Sequence, residues 1–353
     1  MYIEFRNVNK SFGTYKASDN VNFSLSKGSL SALLGPSGSG KTTILRILAG
    51  LETPDSGDIF IDGQRVNDII PAKRGIGFVF QNYALFRYMT VFDNIAFGMQ
   101  VKKFPPEQIK QRVNELLKLI GLDGLSGRYP AQLSGGQKQR IAFARAIAPE
   151  PKVLLLDEPF AAIDAKVRHE LRQWLKNTIK ELNITSIFVT HDQEEANEAA
   201  DEILIVNNGK IEQSGSPISI YKKPVTPFVA QFIGENSLIN DYGNFKGFQF
   251  NKNFPAAIIR PEFISLFKLQ EQIQNTYSAE SGIIKTITFR GSYLEIIVTL
   301  NNIDLKTIWP NDRELLQPKE KVIVLIRKMY LINTDSVREV ENTAITTDNS
   351  VII

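Results

Sequence analysis

Residues 35–42 read GPSGSGKT: Gly35, Pro36, Ser37, Gly38, Ser39 and Gly40, then Lys41 and Thr42, with Thr43 next. The spacing is G-x-x-x-x-G-K-[ST]. With so little side chain in the way, backbone N–H groups can close around phosphate oxygens. Lys41 then reaches the β- and γ-phosphates of a nucleotide, and the Thr42 hydroxyl is suited to ligate magnesium. The flanks fit. The apolar run 29–34 (SLSALL) predicts a buried strand, and KTTILRILAG predicts a helix starting near Lys41. That helix would add its N-terminal dipole to the anion site. A plain glycine-rich turn with a stray lysine would need neither flank.

Asp157 and Glu158 form a second constellation. They end the apolar run VLLL at 153–156. Two carboxylates at the end of a buried strand are costly unless they act. Beside a phosphate loop, Asp157 would orient magnesium, through water, and Glu158 would polarise the attacking water as general base.

These residues need a scaffold. Up to about residue 234, short apolar runs at 29–34, 152–156 and 184–190 alternate with helical patterns at 108–120 and 164–182. Alternation of this kind predicts an α/β sheet with its ligand at the carboxyl ends of parallel strands. After about residue 237 the character changes. The runs 282–289, 293–300 and 321–332 are β-rich and predict a small all-β domain, a barrel. The expected division is 1–236, 237–340 and a loose tail from 341 onward.

Composition limits the classes. A chain of 353 residues suits one large and one smaller domain. No run of about 18 apolar residues predicts a membrane-spanning helix, and the start lacks the apolar middle of a signal peptide. Membrane contact would therefore come through a partner. A net charge of +3, spread along the chain, argues against nucleic acid as a partner. With no cysteine, disulfides, zinc–thiolate sites and cysteine nucleophiles are excluded. That fits a reducing compartment.

Further segments carry a family resemblance. Residues 133–137 read LSGGQ ahead of a helical pattern, FVFQNYALF contains Gln81, IFVTHDQEEA contains His191, and EPFAAID ends on Asp164. In this order and spacing, with the phosphate loop and the acidic pair, the chain resembles the ATP-binding-cassette ATPases over about residues 1–234. The resemblance implies an α/β nucleotide-binding domain with a mixed-sheet core and a helical subdomain, with ATP and magnesium (Mg2+) as cofactors. It also implies a dimer in which Ser134, Gly135, Gly136 and Gln137 of one copy close over the γ-phosphate held by the other. Gln81 would approach magnesium and the attacking water. His191 would hydrogen-bond the γ-phosphate, and Asp164 would face the partner copy. Phe12, in Lys10-Ser11-Phe12-Gly13, would stack on adenine, with Tyr15 as the weaker alternative. His169 is read as a solvated side chain.

The β-rich tail and the IRPE run at 259–262 resemble the regulatory, OB-like domain of import ATPases. The segments FVFQNYALFRYMTVFDNIAFG, LLDEPF and VTHDQEEANEAADEI are similar to those of sulfate and thiosulfate importers. Importers of molybdate, iron, polyamines and sugars share much of this pattern. Asn82 and Tyr88 stand where the sulfate pattern usually has histidine, and Ala161-Ala162-Ile163 where it has Gly-Ala-Leu. The implied partners are a second copy, two polytopic permease subunits and, through them, a solute-binding protein. Tyr83, Leu85, Phe86, Tyr88 and Met89 are expected to form an exposed apolar patch that docks a permease helix. The expected place is the cytoplasmic face of a bacterial inner membrane or the stromal face of the chloroplast inner envelope. A soluble non-transport ATPase of this family would usually carry coiled-coil insertions or a second cassette, and neither is present. A pure binding module would have no use for Glu158 and His191.

Overall fold

The computed structural model describes residues 1–160, 165–271 and 276–345. The chain divides into two compact units, Met1–Ile220 and Tyr221–Ile353. The first begins with β1 (Ile3–Phe12), β2 (Tyr15–Leu25), β3 (Leu30–Leu34), α1 (Lys41–Ala49), β4 (Ser56–Ile61), β5 (Gln64–Arg65) and β6 (Ile76–Val79). There follow α2 (Val91–Val101), α3 (Pro106–Leu119) and α4 (Gly135–Ile147), then β7 (Val153–Asp157), α5 (Ala165–Leu182), β8 (Thr185–Thr190), α6 (Gln193–Ala199), β9 (Glu202–Asn207) and β10 (Lys210–Gly215). The strands expected at 29–34, 152–156 and 184–190 are β3, β7 and β8, each within a residue or so of the expected bounds.

The central sheet has six strands in the order β10-β9-β3-β8-β7-β6. All its pairs are parallel except β10 with β9. Its inner strands β3, β7 and β8 are buried along almost their whole length, as strands covered on both faces must be. A second, antiparallel sheet, β2-β1-β4-β5, shares a core with it around α1. Ile3, Phe5, Val21 and Ile59 from that sheet lie in one cluster with Leu45, Leu48, Leu155 and Val189. The helix α2 packs on both α3 and α4, and α4 also packs on β6 of the central sheet. The starts of these helices are encoded locally. Thr90 caps α2 in a capping box with Asp93, Pro106 opens α3, and Ser134 caps α4 in a box with Gln137. In α3, Ile109, Val113, Leu116 and Leu117 form the buried stripe that the spacing predicts.

In the remainder of the chain, α7 (Pro217–Lys222) and α8 (Pro227–Phe232) precede β11 (Ser237–Ile239), β12 (Ala256–Ile259), β13 (Ile264–Lys268), β14 (Glu280–Phe289) and β15 (Tyr293–Leu300). Then come β16 (Ile303–Pro310), β17 (Lys321–Ile326), β18 (Lys328–Ile332) and β19 (Val337–Glu341). They form two antiparallel sheets, β11-β12-β18-β19 and β13-β17-β14-β15-β16, around one core that includes Trp309, Tyr330, Ile258 and Ile296.

Three expectations need adjustment. The run 321–332 is two strands that serve different sheets, broken at Arg327. There the chain turns its hydrogen bonds away from the ladder: Arg327 N donates to Phe263 O at 2.8 Å, and Arg327 O accepts from Asn342 N at 2.8 Å. The second unit starts at Tyr221, ahead of the boundary expected at 236, because Ala230 lies in the β core and Arg260 binds the carbonyls of Tyr221 and Ile233. Looseness does not set in at 341. Asn342 is buried and donates to Lys246 O and Ile326 O, while residues 346–353 lie outside the described residues.

Candidate active site

Parallel strands end on the same edge of a sheet, and here that edge collects the chemistry. β3 leads into Gly35, β8 into His191, β7 into Asp157 and Glu158, and β6 is followed within two residues by Gln81. Since β3, β8, β7 and β6 are neighbours in that order, residues 35–43, 191, 157–158 and 81 form one row.

The phosphate loop is shaped by its glycines. A Cβ on Gly35 would sit 2.0 Å from Val206 O, and one on Gly40 would sit 2.1 Å from Ala17 O, at a φ of 102°. Neither position admits another residue. Lys41 is buried, and its ammonium donates to Gly35 O at 2.9 Å, Pro36 O at 2.8 Å and Ser39 Oγ at 3.4 Å. Burial pushes its pKa down, and the charges of Glu158 and Asp157 oppose that. Among the described residues, the amides of Gly38, Gly40, Lys41 and Thr42 meet no acceptor in the chain. Unsatisfied donors at the start of a helix, beside a lysine, make an anion site.

Thr42 Oγ1 donates to Asp157 Oδ1 at 3.2 Å. Burial raises the Asp157 pKa, the Thr42 hydroxyl lowers it, and Glu158 raises it further. A hard divalent ion with retained waters needs few protein ligands, and this hydroxyl–carboxylate pair beside the phosphate loop fits magnesium. Glu158 stands at a φ of 45°, a region costly for a side chain that is not glycine. Its carboxylate accepts from Gln81 Nε2 at 2.8 Å and lies 3.6 Å from His191 Nδ1. Three separate segments thus converge on one carboxylate. The His191 loop is fixed on both sides: Asp192 N donates to Thr190 Oγ1 at 3.0 Å, and Asp192 caps α6 through Glu194 N and Glu195 N. The other histidine, His169 of α5, lies 3.3 Å from Glu198 of α6.

Phe12 is 47 % exposed at the end of β1, so it is no core aromatic. Its strand end is tied down by Ser11 N donating to Asp55 and by Lys10 paired with Glu52 and Asp55. Tyr15, its partner across the hairpin, donates its hydroxyl to Gly38 O in the phosphate loop. The hairpin therefore touches the loop through Tyr15 and leaves the Phe12 ring half-exposed, with the Lys10 ammonium 5.2 Å from its centre. Ser134, Gly135, Gly136 and Gln137 sit at the start of α4. Ser134 N donates to Gln137 Oε1 at 3.0 Å, and Gln137 N to Ser134 Oγ at 3.3 Å. No acidic residue stands in that first turn, which leaves it open to an anion. Asp164 lies outside the described residues.

The aromatic patch after Gln81 is smaller than expected. Tyr83 is only 8 % exposed, and Leu85 and Met89 are half-buried, whereas Tyr88 is 96 % exposed and Phe86 is exposed on one side and packed on Phe97 on the other. Tyr83 and Ala84 both hold a left-handed backbone, which turns the Tyr83 ring inward.

Two residues that sequence reasoning passed over hold this segment. Arg145 of α4 donates to Tyr83 O at 2.8 Å and to Ala84 O, and burial lowers its pKa. Asn94 of α2 is fully buried, accepts from Phe86 N and donates to Phe86 O, Met89 O and Thr90 O. Arg145 is on the helix that Ser134 caps, so the Gln81 segment and the LSGGQ turn hang on one rigid rod. A lone arginine in an apolar helix stretch was the only available signal.

Residues 18–161 match the ABC transporter family. The chain is 47 % identical over 336 residues to a sulfate/thiosulfate import ATP-binding protein of Synechocystis, covering 93 % of each. It is 46 % identical over 342 residues to the protein of that name from Mesostigma viride, covering 93 % of this chain and 97 % of that one. Among solved structures, a dimeric ATP-binding cassette in a post-hydrolysis state with ADP and Pi matches with a TM-score of 0.55 and 33 % identity, over 61 % of this chain and 98 % of that one. A protein of Clostridium perfringens that is part of an ABC transporter complex matches with a TM-score of 0.58 and 30 % identity, over 63 % of this chain and 91 % of that one. With residues 35–43, 81, 157–158 and 191 in one row at the edge of its parallel sheet and kinship along almost its whole length, the chain belongs to the ABC transporter family of import ATP-binding subunits.

Proposed function

We propose that the chain is the ATP-hydrolysing subunit of a membrane importer for sulfate and thiosulfate. The observation that carries the chemistry is the convergence of Gln81 and His191 on Glu158, beside the Thr42–Asp157 pair. In this reading the phosphate loop and Lys41 hold the triphosphate, and Phe12 stacks on adenine. Glu158 takes a proton from the attacking water, with Gln81 and His191 fixing the orientation of its carboxylate. Thr42 and Asp157 would hold magnesium, which when bound neutralises phosphate charge.

Two copies work together, each phosphate loop facing the partner's Ser134 turn across the nucleotide. A family neighbour is a dimeric cassette, and the first turn of α4 offers donors without a competing carboxylate. Tyr88 and Phe86, next to Gln81, are the surface for a permease subunit, so closure around ATP moves the permease through the Gln81 segment. No helix among the described residues is long and apolar enough to cross a membrane. Membrane attachment therefore runs through two permease subunits, at the cytoplasmic face of a bacterial inner membrane or the stromal face of a chloroplast inner envelope. The substrate assignment rests on the relatives' names; the anion itself need not touch this chain.

The test is labelled sulfate uptake in cells carrying this chain or its Glu158→Gln variant, with thiosulfate and molybdate as competitors. Uptake is expected to require Glu158 and to be competed best by thiosulfate. Sulfate uptake indifferent to the substitution would remove the substrate. The same variant is expected to elute from size-exclusion chromatography with ATP as a dimer, and a monomer there would remove the two-copy mechanism.

A further inference from the structure

One cavity of the molecule lies away from the nucleotide row. It lies in the second unit, has a volume of about 750 Å³, and is lined by Tyr221, Arg260, Phe263, Arg327, Lys328 and Tyr330 among others. Nothing in the proposed ATPase cycle uses it.

Arg260 is the feature that needs explaining. It is fully buried, yet among the described residues it forms no ion pair with any carboxylate. Its guanidinium stacks 3.8 Å from the Tyr221 ring centre and 5.1 Å from that of Tyr330. It donates to the carbonyls of Tyr221 and Ile233, and its Nε has no acceptor. A buried cation compensated only by carbonyls and ring faces is an unfavourable arrangement unless an anion completes it.

The other charges of the wall sort in the same sense. Glu262 already accepts from the Tyr221 hydroxyl at 2.7 Å, and Glu339 is paired with Lys328 at 3.0 Å. Burial, followed by Glu262, pushes the Tyr221 pKa up to about 12, so that hydroxyl keeps its proton and stays with Glu262. Arg327 at the mouth donates to a backbone carbonyl, that of Glu262, and forms no ion pair among the described residues. Five basic side chains line the space against three acidic ones, and of these Lys328 and Glu339 are paired with each other.

We propose that this cavity binds an organic anion: a carboxylate, sulfonate or phosphate group, met by Arg260 and Arg327, on a flat or apolar body that lies against Tyr221, Phe263 and Tyr330. The size argues for the organic body. Small-molecule sites typically span about 300–1,000 Å³, and a bare inorganic oxyanion would leave most of this space to water against three aromatic rings. Arginine suits the anionic end because its planar fork meets two oxygens at once and still stacks on a ring.

The test is fluorescence titration of the full chain with 2-naphthalenesulfonate, with ADP and magnesium saturating so that the phosphate loop cannot report. 2-Naphthol and sodium sulfate serve as comparisons, and thermal melting checks each variant. One saturable site is expected, with 2-naphthol and sulfate each weaker by roughly tenfold or more, as loss of one charge-assisted contact implies. Arg327→Ala is expected to weaken the sulfonate about tenfold at unchanged melting temperature. Arg260→Lys should do the same; if that variant melts early, Arg327→Ala alone decides. The proposal is overturned by absence of a saturable site, by equal binding of 2-naphthol or of sulfate, or by sulfonate binding indifferent to Arg327→Ala.

Discussion

The two units treat buried charge differently. In the first, Lys41 opens α1 just beyond β3 while Asp157 and Glu158 lie at the end of β7, two strands away in the parallel sheet, and each is held by a neighbour: loop carbonyls, the Thr42 hydroxyl, the Gln81 amide. In the second, Arg260 is gathered among antiparallel strands and helix ends, fully buried, with ring faces and two carbonyls for company. A parallel sheet places its charges by topology, because every strand delivers its carboxyl end to one edge. An antiparallel sheet alternates its ends, so a charged site must be built from segments distant in sequence, and it leaves no compact motif behind.

The contrast can be broken or sharpened by substitution. The largest effect belongs to Lys41→Ala, which removes the one side-chain cation in the phosphate loop. ATPase activity is expected to fall by roughly 10³-fold, the scale of losing a phosphate clamp, and a phosphate-release assay reads it. Activity within about tenfold of the parent would mean that the row does not act on phosphate. Next is Arg145→Leu, which strips the carbonyls of Tyr83 and Ala84 of their side-chain donor. A loss of about 2 kcal/mol in urea unfolding is expected, together with a lower kcat at nearly unchanged ATP affinity. Unchanged kcat would mean that the link between α4 and the Gln81 segment is structural only.

Phe12→Ala comes third. A stacking ring contributes about 1 kcal/mol, so ATP binding by calorimetry should weaken severalfold while kcat holds. Unaltered affinity would assign the adenine to another surface. The smallest effect is Asp157→Asn. The folded state raises the carboxyl pKa of Asp157, which means that its ionised form is disfavoured on folding. At neutral pH the substitution should therefore raise the melting temperature of the nucleotide-free chain. The sign also predicts that magnesium-dependent nucleotide binding in the parent fades on acidification from above the ordinary carboxylate range, because Asp157 takes up its proton there. A variant that melts lower would show that the row is not a store of unfavourable charge.

How legible each region was follows from the same physics. GPSGSGKT could be read as a phosphate loop because its function lies in contiguous backbone, and its φ angles demand glycine at Gly40 and clearance at Gly35. The strands β3, β7 and β8 could be read because they are buried on both faces and hence apolar without interruption. Tyr83 was misplaced because a tyrosine in a loop has no periodicity to say which way it points, and two left-handed residues turned it inward. Arg145 gave too little signal because its partners are backbone carbonyls 61 and 62 positions away, invisible to any pattern of side chains. The break at Arg327 escaped because 321–332 is uniformly β-forming; only the two sheets competing for it decide where it divides.

The sequence by itself therefore determined the local chemistry: the phosphate loop, the acidic pair, the capped start of α4, and the order in which these follow one another. Each depends on residues close along the chain, where backbone geometry is set by side-chain size and hydrogen bonding. Only the tertiary structure decided which groups meet. The strand order β3-β8-β7-β6 brings Gln81 and His191 onto Glu158, and the packing of Tyr221 and β18 encloses Arg260 without a counter-charge among the described residues. Those meetings are long-range pairings, selected by burial of whole sheets, and no short stretch of residues encodes them.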